Sequence, residues 1–207
     1  MSCSLCRRAT NSCAGCEHSS ASSRRESITF ARSGMTLESL GAYRRAGVNV
    51  GIGTASYPFN MIEEMREALI CSRIAGRSVF DLDTQGVFTS ATIGGARALG
   101  RTDIGRIALG GKADLVLVDL AHPSMQPVHD PLRNLIHCSA ERAIRDVFVD
   151  GRAIVEGQRI VNLDYEGAVS ELQDAQQRAC RRAEQLDPQR RSMTSLAPYS
   201  LALKPHG

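Results

Sequence analysis

The segment Val48-Asn49-Val50-Gly51-Ile52-Gly53 constrains this chain more than any other. It is an aliphatic run punctuated by glycine and too short for a helix, so it reads as a buried strand. Helical patterns bracket it. An amphipathic stretch over residues 37–46 is stopped by Gly47, and after a loop over residues 54–59 a second helix begins. Asn60 with Glu63 three positions later supplies the N-cap and capping-box signal for that helix, which runs to Ala75 and closes at Gly76. Helix, buried strand and helix in succession are compatible with an α/β fold class.

The rest of the chain changes character halfway along. A third helix is expected over residues 84–99, with Val87, Phe88, Ala91, Ala98 and Leu99 on compatible faces and Gly100 past its end. Gly94 and Gly95 inside it cost about 1 kcal/mol each relative to alanine, which points to close packing. After Gly110-Gly111 the aliphatic run over residues 113–120 reads as a buried strand. Residues 144–149 and 152–155 read as a hairpin, because Asp150-Gly151 suits a type I′ turn, and Gly157-Gln158 turns the chain into residues 159–161. The last helix spans residues 166–185 with Ala168, Leu172, Ala175 and Ala179 at helical spacing, and a loose tail follows Asp187. Residues 1–26 are rich in Ser, Cys and Arg and lack periodicity, so they are expected to be disordered.

Composition removes several function classes. With 43% hydrophobic residues in 207, the chain can build a core. Only 4% aromatic residues and no Trp leave no stacking platforms for bases, and 25 basic residues interspersed with 22 acidic ones give no single-sign field. Nucleic acid is therefore not an expected partner. No apolar run approaches the roughly 18 residues of a membrane span, and the expected location is cytoplasmic. Cys3, Cys6, Cys13 and Cys16 with His18 have the composition of a zinc site. The two pairs stand only six residues apart, and no apolar residues surround them to build a knuckle, so a fortuitous grouping is the preferred reading.

Two blocks carry a family resemblance. The first is Gly47 to Thr54 followed by Tyr57-Pro58-Phe59-Asn60-Met61 and Glu63-Glu64-Met65-Arg66. The second is Phe88-Thr89-Ser90-Ala91-Thr92 with Gly94-Gly95-Ala96-Arg97-Ala98-Leu99-Gly100, continuing through Gly105-Arg106 and residues 110–115. The first resembles the last barrel strand and following helix of amidohydrolase-superfamily aminohydrolases. The second resembles the point where such barrels end and the chain returns to a small β-sandwich. The resemblance covers residues 30–164 and implies metal-dependent hydrolysis of C–N or C–Cl bonds in small heterocycles, on a Zn²⁺ or Fe²⁺ centre. It implies an incomplete (β/α)₈ barrel remnant over residues 27–104, part of a β-sandwich over residues 105–164, and a terminal helix and tail over residues 165–207.

The chain departs from that pattern in three ways. A (β/α)₈ barrel needs about 250 residues, more than the whole chain. No His-x-His pair occurs among His18, His122, His129, His137 and His206. Ala55 stands in Gly53-Thr54-Ala55 where the resemblance implies a metal-binding Asp that takes the proton of the attacking water. A methyl group can do neither job, so the expectation is no catalytic residue, no metal bound by this chain and no turnover from it alone. Thr54, Ser56, Tyr57 and Asn60 lie where barrel enzymes place their substrate loops, although for Asn60 the role of helix cap is the preferred reading.

Other polar groups have plainer readings. His122, His129, Asp130 and His137 fall in a loop-rich link and read as surface, and the Glu63-Glu64 and Arg66-Glu67 run as a solvated helix face. Three functions stay open: a truncated hydrolase chain, a non-catalytic module or homo-oligomer associating through unfinished sheet edges, and a subunit of a split enzyme whose partner brings the histidines.

Overall fold

The computed structural model describes residues 39–54, 59–138 and 140–201, in two units that divide between Val161 and Asn162. The four N-terminal cysteines, His18, His206, Ala55, Ser56 and Tyr57 lie outside the described residues.

In the first unit, helix α1 (Leu40–Arg45) starts at Ser39, whose hydroxyl accepts from Ala42 N. Helix α2 (Met61–Ala75) starts at Asn60, whose side chain accepts from Ile62 N and Glu63 N, so the expected cap is present. Ile62, Met65, Leu69 and Ser72 form its buried stripe, and Leu69 is fully buried. Glu64 is also buried, at 1% exposure, which corrects the reading of a solvated face at that one position of the charge run, while Arg66 is exposed as expected. The reason is that α2 packs against three neighbours, so it buries an arc wider than a single stripe. Those neighbours are α1, helix α3 (Thr84–Thr89) and a further helix α5 (Pro131–His137).

The single helix expected over residues 84–99 is interrupted. After α3 the backbone widens into a π-helical turn at Ser90–Gly94 and resumes as α4 (Gly95–Ala98). Helix α5 was missed in a segment read as loop. Its start signal is local all the same: Asp130 caps it by accepting from Arg133 N, and Pro131 stands at its first position.

The sheet is open, antiparallel and four-stranded in the order β1-β2-β3-β4: β1 Leu115–Val118, β2 Ile144–Val149, β3 Arg152–Glu156 and β4 Arg159–Ile160. Asp150 and Gly151 have φ of 51° and 78°, as the type I′ turn requires, and Gly157 and Gln158 repeat the device at 53° and 66°. Strand β1 is shorter than expected and is not buried, since Val116 is 52% exposed. The described residues hold one sheet, so the second layer of a sandwich is not seen among them.

One core joins both halves of this unit. Leu40, Val50, Ile52, Leu69 and Val87 cluster with Met125, Leu135, Ile136, Ala140 and Ala143, on both sides of the expected boundary at residues 104/105. The second unit contains α6 (Tyr165–Leu186) and the short α7 (Met193–Leu196). The tail after Asp187 is partly ordered, because the Asp187 carboxylate accepts from the backbone N–H groups of Gln189 and Arg191 and from the Arg191 guanidinium.

Candidate functional site

The segment expected as the closing barrel strand belongs to no sheet among the described residues. A strand inside a parallel barrel takes its hydrogen bonds from neighbours on both sides, and here other partners stand in for them. Val48 N donates to Tyr43 O at 3.0 Å and Ile52 N to Ser90 O at 3.1 Å. Val50 and Ile52 are nevertheless buried at 3% and 7% exposure, so the core-facing side of the strand pattern is retained.

The π turn meets this segment. Ser90 is fully buried; its carbonyl serves Ile52 and its hydroxyl accepts from Arg44 Nη1 at 3.2 Å. Asn49 Nδ2 donates to Gly94 O at 3.1 Å. A Cβ on Gly94 would lie 2.7 Å from Val50 O, and one on Gly51 would lie 3.2 Å from Gly95 Cα. The glycine pair therefore does permit close packing. Gly94→Ala is expected to lower stability by about 1–3 kcal/mol in urea denaturation, because the obstacle is backbone and cannot rotate away. Gly53→Ala, where nothing lies within 4 Å, is expected to stay near neutral.

Of the expected substrate-side residues, Thr54 is half-buried at the end of the 48–54 segment, and Asn60 is committed as a cap, accepting from Ile62 N and Glu63 N at 3.1 and 3.3 Å. A concavity of 160 Å³ between Thr102 and Gly111 and another of 550 Å³ beside His122 and Glu141 include neither residue.

The described histidines are not brought together. His122 Nδ1 lies 2.7 Å from the Ser124 hydroxyl and accepts from Ser124 N at the start of a 3₁₀ turn. His129 is exposed. His137 ends α5, seven residues beyond its cap Asp130, and faces Thr84 Oγ1 at 3.4 Å. Burial holds its imidazole below the usual range, and Arg73, Arg133 and Arg66 push it further down. Among the described residues no three of His, Cys, Asp and Glu converge on a point that could hold a metal ion. The donors among the described residues do not fit the zinc or iron centre that the resemblance implies.

The polar cluster that the structure does build was not visible in sequence. Asp81 is buried, and its Oδ2 accepts from the hydroxyls of Ser39 and Ser72 while Oδ1 accepts from Arg45 Nη2 at 2.8 Å. Ser72 in turn accepts from Gly41 N at 2.9 Å. Burial pushes the Asp81 carboxyl up, but the hydrogen bonds from Ser39, Ser72 and Arg45 and the charge of Arg45 outweigh it, leaving it below the usual carboxylate range. Cβ atoms on Gly41 and Gly76 would both collide with Asp81, so the cluster locks α1, the end of α2 and the following loop to one another.

Three comparisons place this geometry. A model of the amidohydrolase family matches residues 17–154. The 5-methylthioadenosine/S-adenosylhomocysteine deaminase of Pelotomaculum thermopropionicum is 36% identical over 141 residues, 66% of this chain and 32% of that protein. Among solved structures, an adenosine deaminase from Xanthomonas campestris with bound zinc matches at TM-score 0.63 and 34% identity, over 67% of this chain and 33% of its own. The zinc complex of atrazine chlorohydrolase from Arthrobacter aurescens matches at TM-score 0.62 and 30% identity, over 69% and 33%. This chain thus spans about a third of the length of the relatives it matches.

Proposed function

Because the chain belongs to the amidohydrolase family, whose model covers residues 17–154, we propose that it forms the closing part of a heterocycle hydrolase and supplies packing and pocket lining rather than the reacting groups. The relatives it matches deaminate adenosine derivatives or act on a chlorotriazine, so small heterocycles are the substrate class of the complete fold. In that setting Thr54, Ser56 and Tyr57 would line the substrate side, with Asn60 holding the helix behind them. The observation that carries the reading is the donor inventory: no His-x-His pair occurs in the sequence, and Ala55 follows Gly53-Thr54. Metal-dependent hydrolysis needs ligands that hold the ion and a base beside its water, and among the described residues no three of His, Cys, Asp and Glu gather to hold an ion.

The test is equilibrium dialysis of the purified chain against zinc, paired with an ammonia-release assay on 5-methylthioadenosine. The expected result is less than one tightly held zinc per chain and no ammonia, also for Ala55→Asp, because one restored carboxylate cannot replace the missing imidazoles. Stoichiometric zinc with ammonia release would overturn the proposal. The second reading, a module that associates with other chains, is supported by β1 and β4, which each have a single strand neighbour among the described residues.

A further inference from the structure

Helices α2, α3 and α5 pack on one another in pairs, and cationic side chains gather where they meet. Arg66 and Arg73 stand seven residues apart, two turns along one face of α2, and Arg133 and His137 stand four apart on one face of α5. The start of α3 ties the two faces together. His137 Nε2 lies 3.4 Å from Thr84 Oγ1, and Arg73 Nε donates at 3.1 Å to Leu82 O, two residues before Thr84. Burial first, and then Arg73, Arg133 and Arg66, hold the His137 imidazole below its usual range against the opposing charge of Asp130.

The carboxylates nearby are engaged as helix caps. Asp130 Oδ1 accepts from Arg133 N, and its other oxygen reaches the Arg133 guanidinium only at 3.8 Å, with that side chain 67% exposed. Asp83 accepts from Gly86 N at the start of α3. Arg73 is half-buried, and its Nη1 and Nη2 donors have no partner among the described residues. Like charges held together repel unless an anion is placed among them. The planar fork of arginine fits an oxyanion through two parallel N–H bonds, and the imidazole and hydroxyl add donors from a second and a third element. A planar carboxylate would leave part of that set unused, whereas a phosphate monoester carries about −1.5 to −2 charges and three acceptor oxygens at neutral pH. We propose that Arg73, Thr84, Arg133 and His137 form a binding site for a phosphate group, free or carried as a monoester by a small molecule. Arg66 adds to the field of this site. The site does not depend on the hydrolase reading, because none of these residues was placed on the substrate side.

Titration of the full chain with inorganic phosphate, at ionic strength held constant with chloride, tests it by calorimetry and by proton NMR of the His137 ring, assigned from its loss in His137→Gln. The expected result is saturable binding in the millimolar range or tighter that raises the His137 pKa, since an anion beside the ring favours its charged form. Arg133→Gln, an exposed change that leaves the circular dichroism spectrum as it is, should weaken binding about tenfold. Arg73→Lys, which keeps the charge and loses the fork, should also weaken it, whereas Arg97→Gln on exposed α4 should leave it unchanged. Methyl phosphate separates the two sources: binding as tight as that of the free ion extends the site to monoesters, and weaker binding restricts it to inorganic phosphate. Binding that does not saturate, a His137 pKa indifferent to phosphate, or equal affinities for wild type and Arg133→Gln would each overturn the proposal.

Discussion

Asp81→Ala is expected to lower the unfolding free energy of the first unit by roughly 2–4 kcal/mol, measured by urea denaturation at neutral pH. The carboxylate accepts from two buried serine hydroxyls and from Arg45. Its removal leaves the hydroxyls of Ser39 and Ser72 buried without their acceptor, and that penalty exceeds the modest value of the lost bonds themselves. The ion pair adds little, because the Arg45 side chain is 61% exposed and water screens it.

The same carboxylate makes the effect depend on pH. Its acidity in the folded chain is stronger than in the unfolded chain, so the unfolded state binds the proton first as pH falls. The stability Asp81 contributes is therefore fully present above the unfolded value, about 4, and is lost as pH drops through the lower folded value. Asp81→Asn should match the wild type more closely in acid than at neutral pH. A gap between the two that stays constant across this window would contradict the linkage.

Ile136→Ala is expected to cost roughly 2–5 kcal/mol, the range for emptying a fully buried aliphatic site. The informative part is the shape of the transition. Ile136 lies on α5 beyond the expected barrel segment, but it shares a core with Leu69 on α2 and Val50 of the 48–54 segment. Loss of the side chain should therefore lower the midpoint of one cooperative transition, followed both by far-ultraviolet dichroism and by protection of the α2 amides. Separate transitions for residues 39–104 and 105–161 would show that the core does not join them. Leu172→Ala on exposed α6 should leave the same midpoint within about 0.5 kcal/mol.

The residues themselves determined what depends on near neighbours in the chain. Asn60 and Asp130 cap helices because a short side chain reaches the amides two or three positions on, and Asp150-Gly151 turns the chain because both positions accept positive φ. The family resemblance was legible too, because it rests on runs such as residues 47–54 and 88–100. Two of the four residues placed on the substrate side, Thr54 and Asn60, fall among the described residues, and the structure gives Asn60 to the cap.

Tertiary structure decided the rest. Asp81 sits between exposed Phe80 and buried Leu82, and nothing within the local sequence says that Ser39, more than forty residues earlier, will meet it. Glu64 repeats the charge pattern of its neighbours but is enclosed because three helices surround α2. The widened turn at Ser90–Gly94 arises where the chain must offer a carbonyl to Ile52 and let Gly94 approach Val50. Caps and turns are settled by energies exchanged over a few residues, so they can be read along the chain. Burial and long-range hydrogen bonds depend on which surfaces meet, and only the packed fold fixes that.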